Sequence, residues 1–322
     1  MTEDRIIPQV LLLASRFDFS CDYVVAELRR RGTPYFRLNS EDFERFAIVA
    51  VPSEPGVYLH APGLTVQLTP ETLKTIYFRR AVYPQEPHTD KHSVHEQLSR
   101  SHRSAFMRSF MVFDSCKWIN HPAASYKAEH KAVQLSVAHK LGFNIPRTVI
   151  TNNSEGILQV AKGDHTIAVK GLETVLVWER GLETFGYTSL VDTEFAEHSH
   201  LSSAPLIAQE ALENKLDLRV TVVGDQIFCA SVTSSGNPIR GDWRLEKTDA
   251  EFKPFDLPPD ISEKCLQLTK SFGLEFGALD LAAQRGTYFF LEINPTGEWG
   301  WLVDQANLPI DKAIADSLVA NQ

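Results

Sequence analysis

The sequence predicts an α/β protein whose later lobes are of α+β type, and three observations carry that expectation. Strand-length apolar runs alternate with amphipathic helical stretches through the N-terminal third. A helix opened by Pro122 and stopped by Gly142 then introduces a second strand–helix–strand set. The C-terminal third is richer in strand signals and ends in two runs joined by a short turn centred on Gly286. At 322 residues the chain is long enough for two or three compact lobes, each with its own core.

The elements follow in order. Val10–Ala14 is an unbroken apolar run of buried-strand size. Cys21–Arg31 reads as a helix, with Ser20 as N-cap and Gly32 as its stop. Pro34–Leu38 is the next strand, and the polar turn Asn39–Asp42 follows it. Shorter strand-like pieces lie at Ala47–Val51, Val57–His60, Thr65–Leu68 and Thr75–Arg79, before a long polar helix between Asp90 and Phe113. A second unit begins near Trp118 with one helix from Pro122 to about Leu141. It continues through a strand at Arg147–Thr151, a helix at Ser154–Lys162 and a strand at Thr166–Lys170. The third unit holds strands at Leu206–Leu212, Leu218–Val223 and Ile227–Thr233, then the helix Ile261–Phe272. The strand pair Phe276–Ala283 and Tyr288–Asn294 comes next, and a helix from near Pro309 closes the chain. The expected units are 1–117, 118–204 and 205–322.

Composition narrows the function classes. A hydrophobic fraction of 43% with 23% charged residues fits a soluble globular protein, not a disordered or membrane chain. No apolar run reaches membrane-spanning length. The first such run lies between Glu3-Asp4 and Ser15-Arg16, so it does not read as a signal peptide. Cys21, Cys116, Cys229 and Cys265 form no C-x-x-C pair; free thiols in a reducing, cytoplasmic setting are the simplest account. The net charge of −9 argues against a nucleic-acid binder but leaves room for a local cationic pocket. Neither a P-loop nor a dinucleotide fingerprint is present, and no nucleophile elbow. His88, His92, His95 and His102 cluster on or near one polar helix; without cysteine or a carboxylate pattern, a solvated face explains them better than zinc does.

Two constellations carry chemistry. In a hairpin turning at Gly286, Asp280 lies opposite Glu292, with Asn294 two residues on along the same face. Leu279, Leu281, Leu291 and Ile293 then face the core. Opposed carboxylates repel, so a hard dication such as Mg²⁺ would neutralise them; a solvent-facing polar edge is the other account. The second constellation is a pair of lysines. Ala124, Ala128, Ala132, Leu135 and Ala138 form one apolar stripe on the Pro122 helix, and Lys131 falls inside it while Lys140 falls opposite. Lys170 ends its strand just before Gly171, where its ammonium can leave the sheet. Each is either a snorkelling surface lysine or one arm of a nucleotide-phosphate clamp. Gln209-Glu210-Ala211-Leu212 is a strand exit able to meet an adenine edge, or a plain core strand. Asp217 and Arg219 share a strand face, so Arg219 is either a phosphate or carboxylate ligand or the partner of Asp217. Trp299 and Trp301 are a substrate wall or core packing.

Taken in sequence, Lys131, Lys170, Gln209-Glu210, Asp217-Leu218-Arg219, Asp280 and Leu291–Pro295 resemble the ATP-grasp carboxylate ligases. Leu12–Arg16 with Asp18, Arg37–Phe43, Tyr77–Arg80, Trp118–Asn120, Pro146–Thr148 and Leu291–Trp301 narrow the likeness to graspetide synthetases, the microviridin-type peptide macrocyclases. That resemblance covers nearly the whole chain. It implies an N-terminal pre-ATP-grasp domain, a central lid subdomain and a C-terminal antiparallel-sheet subdomain. It implies ATP held by Lys131, Lys170, Gln209, Glu210, Ala211, Leu212 and Asp217, and Mg²⁺ held by Asp280, Glu292 and Asn294. An Asp or Glu side chain of a precursor peptide (leader plus core) would become an acyl phosphate. A Ser, Thr or Lys side chain of the same peptide would then close an ester or amide. Arg219, and Arg244 in Asp242-Trp243-Arg244, would orient the acidic group or its acyl phosphate. A homodimer is implied, without a nucleic-acid or membrane partner. The segment Leu172–Gly186 departs from the family's glycine-rich phosphate lid, having only Gly181 and Gly186. An amino-acid ligase like the ribosomal-protein glutamate ligases, and a non-catalytic ATP- or peptide-binding module, are the alternatives.

Overall fold

The computed structural model describes residues 4–79, 93–161, 166–173, 176–179, 182–194, 201–246 and 249–320. Arg80, His88, Asp90, His92, Lys162 and Gly181, named above, lie outside them.

The chain opens with β1 (Asp4–Ile6) and β2 (Val10–Ala14), then α1 (Phe19–Arg30) and β3 (Tyr35–Asn39). Next come β4 (Ala47–Val51), β5 (Gly56–Ala61), β6 (Leu64–Leu68), β7 (Thr75–Phe78), α2 (Val94–Ser109) and β8 (Lys117–Ile119). Strands β3-β2-β7-β8 form a fully parallel sheet, which explains why every residue of β2 is buried. Strands β1-β6-β5-β4 form a second sheet over its other side. Helix α1 starts two residues earlier than expected. Its N-cap is Asp18, whose carboxylate accepts from the Cys21 N–H at 3.0 Å, and Ser20 is fully buried for another purpose described below. On α2, Ser93 and Glu96 make a reciprocal capping box.

The single helix expected from Pro122 is two. α3 (Pro122–Ala128) ends at Glu129, His130 is extended, and α4 (Lys131–Lys140) starts afresh. The interruption rotates the apolar stripe, so Ala132 is exposed while Lys131, Gln134, Leu135 and Ala138 are buried. The chain continues through β9 (Thr148–Thr151), α5 (Ser154–Ala161), β10 (Thr166–Lys170), the hairpin β11 (Leu176–Glu179) and β12 (Leu182–Phe185), β13 (Ser189–Asp192) and β14 (Leu206–Glu210). The central sheet runs β13-β10-β14-β9 and is antiparallel. Strand β14 therefore pairs inside the central sheet.

The C-terminal sheet follows: β15 (Leu216–Val223), β16 (Gln226–Ser234), β17 (Ala250–Pro254), β18 (Phe276–Gln284) and β19 (Thr287–Asn294). Its order is β17-β16-β15-β18-β19. One face carries Leu218, Val220, Val222, Leu279, Leu281, Phe290 and Ile293 against α4 and the helix Pro259–Ser271. The final helix, Ile310–Val319, returns to pack on α1 and β7 and joins the N-terminal and C-terminal cores into one apolar cluster. Among the described residues no helix is long and apolar enough to cross a membrane, and all four cysteines are buried and unpaired.

Candidate active site

The β18–β19 hairpin sets the acidic pair, by a route the sequence reading did not foresee. Gln284 faces Thr287 across a two-residue turn at Arg285-Gly286, both with positive φ (49° and 79°). That is the backbone of a tight hairpin turn, and glycine suits its second position. Continued without interruption, this register would oppose Asp280 to Leu291. The pairing shifts between Asp280 and Leu281, so Leu281 faces Phe290 and Asp280 faces Glu292. Leu291 is the extra residue of a bulge. The expected pairing of Asp280 with Glu292 is thus present, but the core face is corrected: Phe290 takes the place given to Leu291, and Leu291 lines the cleft.

The cleft lies between the central and C-terminal sheets and encloses about 730 Å³, counting the part open to solvent. Lys170, Gln209, Leu212, Asp217, Asp280 and Glu292 are among its walls. Asp280 is 5% exposed. Its carboxylate accepts from Arg219 Nη1 at 2.9 Å and from Arg244, whose Nη2 also donates to Glu292 Oε1 at 2.6 Å. One guanidinium nitrogen thus reaches both acids, which shows that their oxygens converge on a single cationic centre. Burial pushes Glu292 upward, but Arg244, Lys131 and Lys170 outweigh it and hold the carboxyl well below its usual range. Burial likewise opposes the charge of Arg244, and Asp280, Glu292 and Asp242 more than restore it.

Lys131 and Lys170 approach the same acid from two elements. Lys131 opens α4 and is 8% exposed, at a helix N-terminus whose dipole favours an anion, not an ammonium. Lys170 donates to the Leu291 carbonyl at 3.5 Å. Burial lowers its pKa to about 8; Glu292 works against that shift, while Lys131 and Arg244 add to it. Lys140 is exposed on the far side.

The remaining candidates are placed as follows. Gln209 is 4% exposed and donates to Thr148 Oγ1 at 2.8 Å, and Glu210 pairs with Arg147 at 2.7 Å. Ala211 and Leu212 follow the end of β14. Asp217 pairs with Lys215, a buried lysine on the cleft wall that sequence reasoning missed, so the Asp217–Arg219 pair does not form. Burial raises Asp217 to about 6 against the pull of Lys215. Arg219 is 4% exposed and also donates to the Glu298 carbonyl at 3.0 Å. A side chain on Gly297 would come within 2.8 Å of Arg219 Nη2, which explains the glycine there. Asn294 shares the face of Glu292 by register, is exposed, and accepts from the Thr296 N–H at 3.0 Å. Trp299 is fully buried and donates to Tyr77 Oη at 3.2 Å; Trp301 packs on Trp243 and Phe252. Both tryptophans are therefore core, as the second account held. His95 and His102 are exposed, and among the described residues no group of three or more His, Cys, Asp or Glu side chains could hold a metal.

That last observation bears on magnesium. Two converging carboxylates, one held strongly ionised, with an amide on the same face, are a fitting oxygen set for a hard cation that keeps waters and takes phosphate ligands. They would not suffice for an all-protein cage.

No family model matches the chain, and no curated protein does. Solved structures match over its whole length. The macrocyclase MdnC of Microcystis aeruginosa, bound with its precursor peptide MdnA, is 28% identical, with a TM-score of 0.82 over 97% of this chain and 100% of that one. A RiPP-associated ATP-grasp ligase of Chryseobacterium gregarium, in complex with ADP and a leader and core peptide, is 24% identical, with a TM-score of 0.83 over 98% and 97%. The ATP-grasp ligase PsnB, complexed with minimal precursor, Mg and ADP, is 20% identical, with a TM-score of 0.76 over 99% of both chains. The protein therefore has the ATP-grasp fold from end to end, the fold of these precursor-peptide ligases and macrocyclases.

Proposed function

We propose that this protein is an ATP-dependent carboxylate ligase that crosslinks acidic side chains of a precursor peptide to its Ser, Thr or Lys side chains. The observation that supports it most is the arrangement of charge: Lys170 and Arg244 meet Glu292 and Asp280 in one cleft, and Lys131 acts on the same Glu292 carboxylate from the start of α4. A polyphosphate with its metal requires such mixed charge, and a plain peptide groove does not. The two lysines would grip phosphate oxygens, and Asp280, Glu292 and Asn294 would hold Mg²⁺. Bound there, the metal would screen phosphate charge and stabilise charge on the transferred phosphoryl group.

The rest falls to the chain's own side chains. A substrate carboxylate attacks the γ-phosphorus, ADP leaves, and the acyl phosphate remains in the cleft. A peptide hydroxyl or amine then attacks the acyl carbon, loses its proton and expels phosphate. Each ring costs one ATP and removes one water from the peptide. Arg219, held against Asp280 and the 298 carbonyl, keeps the Asp280 carboxylate fixed; Arg244, the more exposed guanidinium, is shared among Asp242, Asp280 and Glu292 and would meet an anionic ligand at that centre. Burial between two sheets favours ring closure over hydrolysis.

Mass spectrometry of the precursor peptide after incubation with enzyme, ATP and Mg²⁺ tests this directly. Loss of one water per ring supports the proposal, and nucleotide binding with no ADP release on any peptide would overturn it. Lys131→Ala is expected to weaken ATP binding about tenfold or more, the scale of one charge-assisted contact. Unchanged nucleotide affinity by calorimetry would remove the lysine from the clamp.

Lys170 gives a pH signature. Its folded pKa near 8 lies below the ordinary 10.5. ATP prefers the protonated form, so affinity should fall above pH 8 by up to about tenfold per unit. Between those two values the unfolded chain binds the extra proton, so stability should rise with pH over the same window. Lys170→Arg, charged throughout, should flatten the affinity profile. Titrations at pH 7 and 9.5 would decide; equal slopes in both proteins would exclude Lys170 as the titrating group.

A further inference from the structure

Gln134 belongs to neither the phosphate clamp nor the acidic pair, yet it touches the elements that carry both. Its side chain is 3% exposed and polar. Nε2 donates to the Ala128 carbonyl at 2.5 Å and to the Ile293 carbonyl at 2.8 Å, and Oε1 accepts from the Ile293 N–H at 3.1 Å. Ala128 is the last residue of α3, whose terminal carbonyls have no partner within their own helix. Ile293 sits between Glu292 and Asn294 on β19, the edge strand of its sheet. The carboxamide therefore supplies to that edge the donor and acceptor that a further strand would have supplied.

We infer that Gln134 is a positioning residue that sets the register of α4 against β19, so that the ammonium of Lys131 and the carboxylate of Glu292 form one site. The inference rests on the ligase reading above and deepens it. Gln134 lies three residues after Lys131, one helical turn on the same face, and its partner Ile293 is the immediate neighbour of Glu292. A single amide thus links, by hydrogen bonds, the two backbone segments that carry the charged groups. Apolar packing also holds this interface: Leu135 and Ala138 of α4 share one core cluster with Ile293 and with Leu279 of β18. Apolar contact fixes how close the helix lies but is indifferent to sliding along it. Directional hydrogen bonds to both polar atoms of one peptide unit are not. The third bond, to Ala128, ties down the chain where α3 stops and α4 begins, the break that brings Lys131 to a helix start. Asparagine is too short to reach all three atoms. Glutamate lacks the donors and brings a buried charge, and methionine keeps the shape while losing every bond.

The test is Mg²⁺-dependent binding of a non-hydrolysable ATP analogue to the full chain, measured by calorimetry, so that no peptide is needed. Gln134→Met should bind the analogue about tenfold more weakly, the value of two or three lost hydrogen bonds expressed through geometry. Leu135→Ala, which removes apolar packing from the same helix, should lower the unfolding midpoint at least as much and leave affinity within about twofold. Should Gln134→Met fail to fold, Gln134→Asn keeps a neutral amide but cannot reach all three atoms, and should give a smaller loss in the same direction. Normal affinity in the Gln134 variant, or an equal loss in Leu135→Ala, would overturn the inference by showing no more than a general loosening. Lys131→Met and Glu292→Gln are measured in parallel. If these two lower affinity and Gln134→Met does not, the positioning role alone fails; if they too bind normally, the ligase reading of the cleft fails.

Discussion

Glu292→Gln is expected to lower turnover by at least about a thousandfold while leaving the fold intact. The carboxylate faces a cleft, and its closest partner, Arg244, keeps Asp280 and Asp242 after the change, so that guanidinium is not left alone. The substitution removes one negative charge from the proposed magnesium site and preserves shape. Asp280→Ala should also abolish turnover, but at a structural cost of about 3–5 kcal/mol, because Arg219 is almost fully buried and would lose its carboxylate. Arg219 Nε already has no partner, which leaves that side chain little slack. ADP release in the presence of precursor peptide, paired with a denaturant midpoint, separates the two cases. Near-normal ADP formation in Glu292→Gln would remove the metal assignment.

Arg79→Met is expected to be the most damaging substitution outside the cleft, at about 3–5 kcal/mol. Only 1% of its side chain is exposed. It donates to Asp18 Oδ2 at 2.9 Å, to the carbonyls of Thr296 and Gly297 at 3.1 Å each, and to Glu298 Oε1 at 3.0 Å. Removing it strands the buried Asp18 carboxylate, which also caps α1, and two carbonyls of the loop behind the acidic hairpin. Ser20 completes this anchor by donating to Glu298 and accepting from the Gly300 N–H. That is why Ser20 is buried without being the helix cap. The N-terminal sheet therefore holds the segment that places Gly297 against Arg219, and Arg219 against Asp280. Denaturant unfolding followed by circular dichroism checks the magnitude. A loss below about 1 kcal/mol would mean that the four contacts do not act together.

How much of this was legible in the sequence depended on whether a feature is local. Alternation and helical spacing located β2, α1, β10 and the β18–β19 pair because those patterns are fixed by the element itself. Order and spacing brought Lys131, Lys170, Asp280 and Glu292 forward together. What stayed hidden were side chains whose meaning comes from distant backbone. Gln134 reads as an ordinary polar helix residue until Ile293 is beside it. Asn120 stood out only as part of the Trp118–Asn120 stretch, with no role attached, yet its amide donates to Phe276 and Pro295 carbonyls at 2.7 and 2.8 Å and accepts from the Glu275 and Phe276 N–H groups. Lys215 gave no signal, since its partner is two residues away on a strand whose face was assigned to other chemistry. The break between α3 and α4 had no glycine or proline to announce it.

The extra residue at Leu291 separates the tip of its hairpin from the acids it serves. The two-residue turn beyond Gln284 and Thr287 could be lengthened, or cut open to give new chain ends, and the pairing on the near side would still be indexed from its own strand neighbours. Protein engineers seeking a place to graft a reporter close to the catalytic chemistry have one at Arg285-Gly286, an exposed corner with no structural duty toward the cleft except to let the chain turn round.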